Sequence, residues 1–123
     1  MAKSILRDKS FAFAKDIVSV YQFLVAERKE FVMSKQLLRS GTAVGALIRE
    51  AQNAESKMDF VHKLGIAQKE CDETLYWLEL LFETELLEAD LFKKLSSQAD
   101  ELFRMLKSSI LTTKSNAGKL KRG

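Results

Sequence analysis

Few residues in this 123-residue chain carry side chains suited to catalysis or metal binding. It has one histidine, His62, and one cysteine, Cys71. A structural zinc site takes four Cys or His ligands, so zinc fails by count. A di-iron centre in a helical bundle needs two Glu-x-x-His pairs and two further glutamates. Here Asp59-x-x-His62 has no second copy. Glu70 and Glu73 lie one helical turn apart, a pairing that acid–base catalysis uses, but no histidine, lysine pocket or metal motif completes a site. Their other reading is as helix-packing partners of Arg39. Cys71 falls on an apolar stripe and reads as a buried small hydrophobe rather than a nucleophile. His62 reads as a surface histidine or a partner of Glu50. No catalytic residue, cofactor or metal is expected, and the chain does not read as an enzyme.

Those residues are positioned by four helices. Helical periodicity covers about 10–27, 35–54, 57–84 and 89–111, with no proline anywhere to interrupt it. Ala14, Ile17, Tyr21 and Leu24 form the first stripe, with Phe13 and Val20 beside it. The second is Leu37, Gly41, Val44, Ile48 and Ala51. The third, from Phe60 through Leu64, Ala67, Cys71, Thr74 and Leu78 to Leu81, keeps the same four-three step. The fourth is a broad band of Leu91, Phe92, Leu95, Leu102, Phe103, Met105 and Leu106. Ser34 is the expected N-cap of the second helix, with Met33 stapled on Leu38, and Ser56 with Asp59 resembles a capping box. Short connections imply antiparallel neighbours, so the expected fold is all-α, an up-down-up-down four-helix bundle over residues 1–112. Residues 113–123 have little to bury and read as a basic flexible tail.

A reversal near Glu55 would bring Gly45 opposite Gly65, Arg39 near Glu73 and Glu50 near His62, with the paired glycines allowing close backbone approach. Gly41-x-x-x-Gly45 has the spacing of a membrane dimer motif, yet Arg39 and Arg49 flank it too closely for a span. It also lacks the residues of a phosphate-binding loop. Tyr76 and Trp77 sit off the third stripe, as a second core layer or an oligomer interface.

The net charge of +3 conceals a segregation. Residues 1–49 hold nine basic and four acidic side chains, residues 50–101 five and thirteen, and residues 102–123 six and none. Charged faces follow, for partners or for solvation. The start of the chain has no apolar signal-peptide core, no run reaches the length of a span, and a single cysteine suits a reducing compartment. A cytoplasmic protein away from membranes is expected.

The blocks Lys35-Gln36-Leu37-Leu38-Arg39-Ser40-Gly41-Thr42-Ala43-Val44-Gly45-Ala46-Leu47-Ile48-Arg49-Glu50-Ala51, Asp59-Phe60-Val61-His62-Lys63-Leu64-Gly65-Ile66-Ala67-Gln68-Lys69-Glu70-Cys71 and Glu73-Thr74-Leu75-Tyr76-Trp77-Leu78 occur in that order. Together they resemble the 23S ribosomal RNA intervening-sequence protein family. The resemblance implies a four-helix bundle that assembles into a ring, commonly a homopentamer. It also implies kinship with the accessory proteins of diversity-generating retroelements, which bind nucleic acid and a reverse transcriptase. This chain departs from the family's usual block in having Leu47 where a polar amide is typical, and an arginine at Arg49.

Two functional readings follow. In the first, a homo-oligomeric scaffold binds RNA or DNA through phosphates, with Arg28, Lys29, Lys35, Arg39, Arg49, Lys114, Lys119, Lys121 and Arg122 as contacts. No aromatic stacking platform or recognised RNA motif is evident. In the second, the charged faces serve ring assembly or a protein partner.

Overall fold

The computed structural model of the chain describes residues 4–122, with side chains described for residues 4–116. It contains α1 (Ile5–Arg28), α2 (Met33–Gln52), α3 (Lys57–Glu83) and α4 (Ala89–Arg122). No strand occurs among the described residues. Each helix packs on two neighbours, in the order α1, α2, α3, α4 and back to α1.

Cross-helix contacts fix the directions. Arg39 reaches Glu70 and Glu73 near the middle of α2 and α3, and Glu50 meets Lys63 close to their turn. Ring centroids of Phe82 and Phe92 stack 4.3 Å apart across the α3–α4 turn, while Cys71 meets Ala99 farther along. Lys9 bridges Glu101 and Gln98 donates to Asp16, closing α4 against α1. All four neighbouring pairs run antiparallel, giving the expected up-down-up-down bundle. No helix among the described residues is long and apolar enough to cross a membrane.

The core is the apolar seam of each helix. Phe13, Ile17, Val20 and Leu24 come from α1, and Leu37, Val44, Ile48 and Ala51 from α2. Leu64, Ala67, Cys71, Leu78 and Leu81 come from α3, and Leu95, Ala99, Leu102 and Leu106 from α4. On α1 the seam is turned relative to expectation: Phe13 and Val20 are buried, whereas Ala14 and Tyr21 are only half-buried. The polar exceptions find partners, since Thr74 donates to Ser40 at 3.0 Å across the α2–α3 seam. An unpartnered hydroxyl there would cost on the order of 1–3 kcal/mol.

Four local features differ from the sequence expectation. The first helix begins at Ile5 because the Ser4 hydroxyl accepts from the Arg7 amide, a cap that extends α1 by more than a turn. Ser34 is not an N-cap; it lies inside α2 and is buried. The end of α2 is instead satisfied by Glu30, whose carboxylate accepts from the Val32, Met33 and Ser34 amides at 2.7–3.1 Å. One carboxylate thus serves three orphan donors at the positive end of the helix dipole. Gly45 and Gly65 are not packed together. A Cβ on Gly45 would meet the Ser10 carbonyl at 3.4 Å, and one on Gly65 would meet nothing within 4 Å. Finally, α4 continues to Arg122 beyond the expected end at Leu111, with no proline to stop it. Ser56 does cap α3, accepting from the Asp59 amide at 3.0 Å.

Gly41 is the tight spot. A Cβ there would lie 2.9 Å from both Cγ1 and Cγ2 of Ile17. Gly41→Ala is therefore expected to lower the unfolding free energy by about 1–2 kcal/mol through overpacking. Gly65→Ala is expected to raise it by about 0.5–1 kcal/mol, because helix propensity is gained without a clash. Urea denaturation of the two variants checks both signs.

Partial burial pushes the Glu30 carboxyl upward, but hydrogen bonds from the Ser34, Met33 and Val32 amides outweigh it and hold the group below its usual 4.5. Its stabilisation is fully present above that ordinary value and is lost as pH falls through the lower folded value. Glu30→Ala is expected to cost about 1 kcal/mol at pH 7. The penalty should shrink in acid, measured as the midpoint difference from the parent chain across pH 3 to 7.

Candidate functional site

The groups with catalytic potential do not converge. Cys71 is fully buried on α3, where its thiol donates to the Ala99 carbonyl at 3.0 Å. Burial, then the nearby Asp72 and Asp100 charges, push that thiol up to about 12. His62 is exposed, and Glu50 pairs with Lys63 rather than with it. Among the described residues no three His, Cys, Asp or Glu side chains gather as a metal site.

The outer side of the α2–α3 seam is acidic and aromatic. Arg39 forks between Glu70 and Glu73. Glu73 also accepts from the Trp77 indole at 3.0 Å. The indole first, and then the Arg39 guanidinium, hold the Glu73 carboxyl below the usual carboxylate range. Tyr76 packs edge-on against Trp77, with ring centroids 5.0 Å apart, and stays 58% exposed. Arg39, placed by the sequence among the phosphate contacts, is therefore already engaged by two carboxylates.

The α1–α2 side has the opposite character. Phe11 stands half-exposed, with the Lys15 ammonium 5.3 Å and the Arg49 guanidinium 5.1 Å from its ring centroid. Arg7 joins Phe11 and Arg49 in lining a groove of about 310 Å³ with Ser10, Ala14, Thr42, Gly45 and Ala46, and Lys15 stands at the same ring. Among the described residues, no carboxylate forms an ion pair with Arg7, Lys15 or Arg49. Cations and an accessible ring thus share one small-floored concavity.

The other expected contacts are scattered. Arg28 ends α1 with its guanidinium 5.5 Å from the Phe23 ring, Lys29 follows in the left-handed region at φ 54°, and Lys35 is exposed in the first turns of α2. Lys114 is exposed on the extension of α4, toward the bundle's opposite end. Lys119, Lys121 and Arg122 lie outside the residues with described side chains. Of the nine cations, the structure places Arg49 beside an aromatic ring in the groove.

Arg7, Phe11 and Lys15 were missed, although their signal was legible. They stand four residues apart and so fall on one face of a helix. With α1 expected to begin near Ser10, Arg7 fell outside that helix.

The family model described as 23S rRNA-intervening sequence protein matches residues 2–108. The chain belongs to this family. A crystal structure of a Bacteroides thetaiotaomicron protein, described as of unknown function and from the S23 ribosomal protein family, is similar at TM-score 0.85 and 52% identity. The alignment covers 86% of this chain and 98% of that one. No curated protein matches. The family match ends at residue 108, so the last part of α4 lies beyond it.

The burial of Cys71 has a direct chemical consequence. The native thiol is expected to resist a disulfide reagent at pH 8 and to react fully once guanidinium unfolds the chain. Rapid stoichiometric labelling of the folded protein would contradict its enclosure.

Proposed function

We propose that the chain is a non-enzymatic, homo-oligomeric helical scaffold that binds nucleic acid, RNA or DNA, through phosphate contacts. The observation that supports this most is the groove lined by Arg7, Phe11 and Arg49, with Lys15 at the same ring, where the three cations have no ion-pair partner among the described residues. Cations already paired inside a protein have little left for a phosphate; these three are free to engage one.

Assembly supplies what one subunit lacks. Three cations make a weak site, whereas several copies in a ring present them at high effective concentration. The half-exposed Tyr76 beside Trp77 is the candidate interface, because both residue types are enriched at subunit contacts. The pentamer implied by the family resemblance is the expected ring. Its acidic aromatic face and basic groove lie on different sides of α2, so a head-to-tail arrangement can leave the groove open. The same Tyr76–Trp77 patch favours the second reading, a module whose charged faces serve ring assembly or another protein.

Mobility shift with a structured RNA over a salt series separates the two. Binding should weaken steeply between about 50 and 200 mM salt, and Lys15→Ala/Arg49→Ala should reduce both the affinity and the salt slope. Absence of a shift at micromolar protein and low salt would reject the nucleic-acid reading. Loss of the oligomer in that double variant, seen by light scattering, would support the second.

A further inference from the structure

We propose that the α1–α2 groove holds one unpaired base of a single-stranded nucleic acid, stacked on Phe11, while Arg7, Lys15 and Arg49 hold the flanking phosphates. This rests on the nucleic-acid reading above and narrows it to a strand state and a subsite.

Three observations converge. First, Phe11 is 50% exposed although the seam beside it offers buried positions, so the ring is presented to the surface rather than to the core. Second, the concavity of about 310 Å³ falls at the small end of the roughly 300–1,000 Å³ range of ligand pockets. Its floor residues are small, so no bulky side chain fills the space above the crossing. Third, two cations, Arg49 and Lys15, lie 5.1 and 5.3 Å from the ring centroid, and neither has an ion-pair partner among the described residues.

That combination fits a ligand carrying a flat π-face and negative charge on either side of it. A nucleotide within a strand is such a ligand. A duplex keeps its bases stacked inside and offers mainly phosphates to this face, so it gains nothing from the ring. The two bracketing cations have different parts. Lys15 is a point charge on a flexible stem and can leave the ring for a phosphate when a base arrives. Arg49 is planar, and its guanidinium can stack on a base while donating to a phosphate.

The test is fluorescence anisotropy of the full chain with a labelled 15-nucleotide oligouridylate and with a labelled RNA duplex of equal length. Phe11→Leu keeps an apolar side chain of similar bulk but removes the π-face. It is expected to weaken single-strand binding by roughly 5- to 150-fold, the range for one lost base stack, and duplex binding by less than about twofold. Phe11→Tyr should restore single-strand affinity, and Lys93→Ala on α4 serves as the remote control. Equal weakening for both ligands, or none for the single strand, would overturn the stacking site while leaving nucleic-acid binding intact. Polyglutamate binding with the same dependence on Phe11 would assign the groove to acidic polypeptides and overturn it too. No binding of either RNA by the parent chain would overturn the broader reading and this one together.

Discussion

How closely α1 can lie against α2 governs the rest of this structure. Ile17 occupies the space where a side chain at Gly41 would begin, and the Ser10 carbonyl sits where one at Gly45 would make contact. Close packing of this kind recovers dispersion contacts that a wider crossing would forfeit. With α1 held there, Phe13, Ile17, Val20 and Leu24 point into a core shared with Leu37, Val44 and Ile48. The same crossing brings Arg49 of α2 over Phe11 of α1, so the groove is a consequence of the packing rather than an addition to it.

Charge is then sorted by side. On the α2–α3 side, carboxylates of α3 engage Arg39, and Lys63 of α3 engages Glu50 of α2. Lys9, Asp16, Lys94 and Glu101 tie α1 to α4. Exposed pairs of this sort contribute about 0–1 kcal/mol each, so their larger effect is on what remains available to a partner. On the α1–α2 side Arg7, Lys15 and Arg49 remain without an ion-pair partner among the described residues, around an exposed ring.

The helices, their antiparallel order and most of the core were legible in the sequence because burial repeats with the helical period. Leu37, Gly41, Val44, Ile48 and Ala51 are all buried as their spacing indicates, and so is the α3 stripe from Leu64 to Leu81. Features that depend on one contact in space were harder to read. Ser34 has the right type for an N-cap, yet Glu30 reaches three amides where a serine hydroxyl reaches one or two. Gly65 looked like a packing partner for Gly45, although glycine spacing along a chain does not say which neighbour a helix face meets; Gly45 faces α1. Single-stripe reading also hid the site. Phe11 lies off the buried seam of α1, and its pairing with Arg49 needs the crossing of two helices, which no one-dimensional pattern contains.

The proposed partner site is the ring-bearing groove between the first two helices, with Arg7 and Arg49 on its lining. Amide and side-chain NMR shifts recorded during titration with a short oligouridylate test it most directly. Perturbations should centre on Arg7, Phe11, Lys15, Thr42, Gly45, Ala46 and Arg49. Shifts confined to Tyr76, Trp77 and the carboxylates of α3, or no shifts at all, would contradict it.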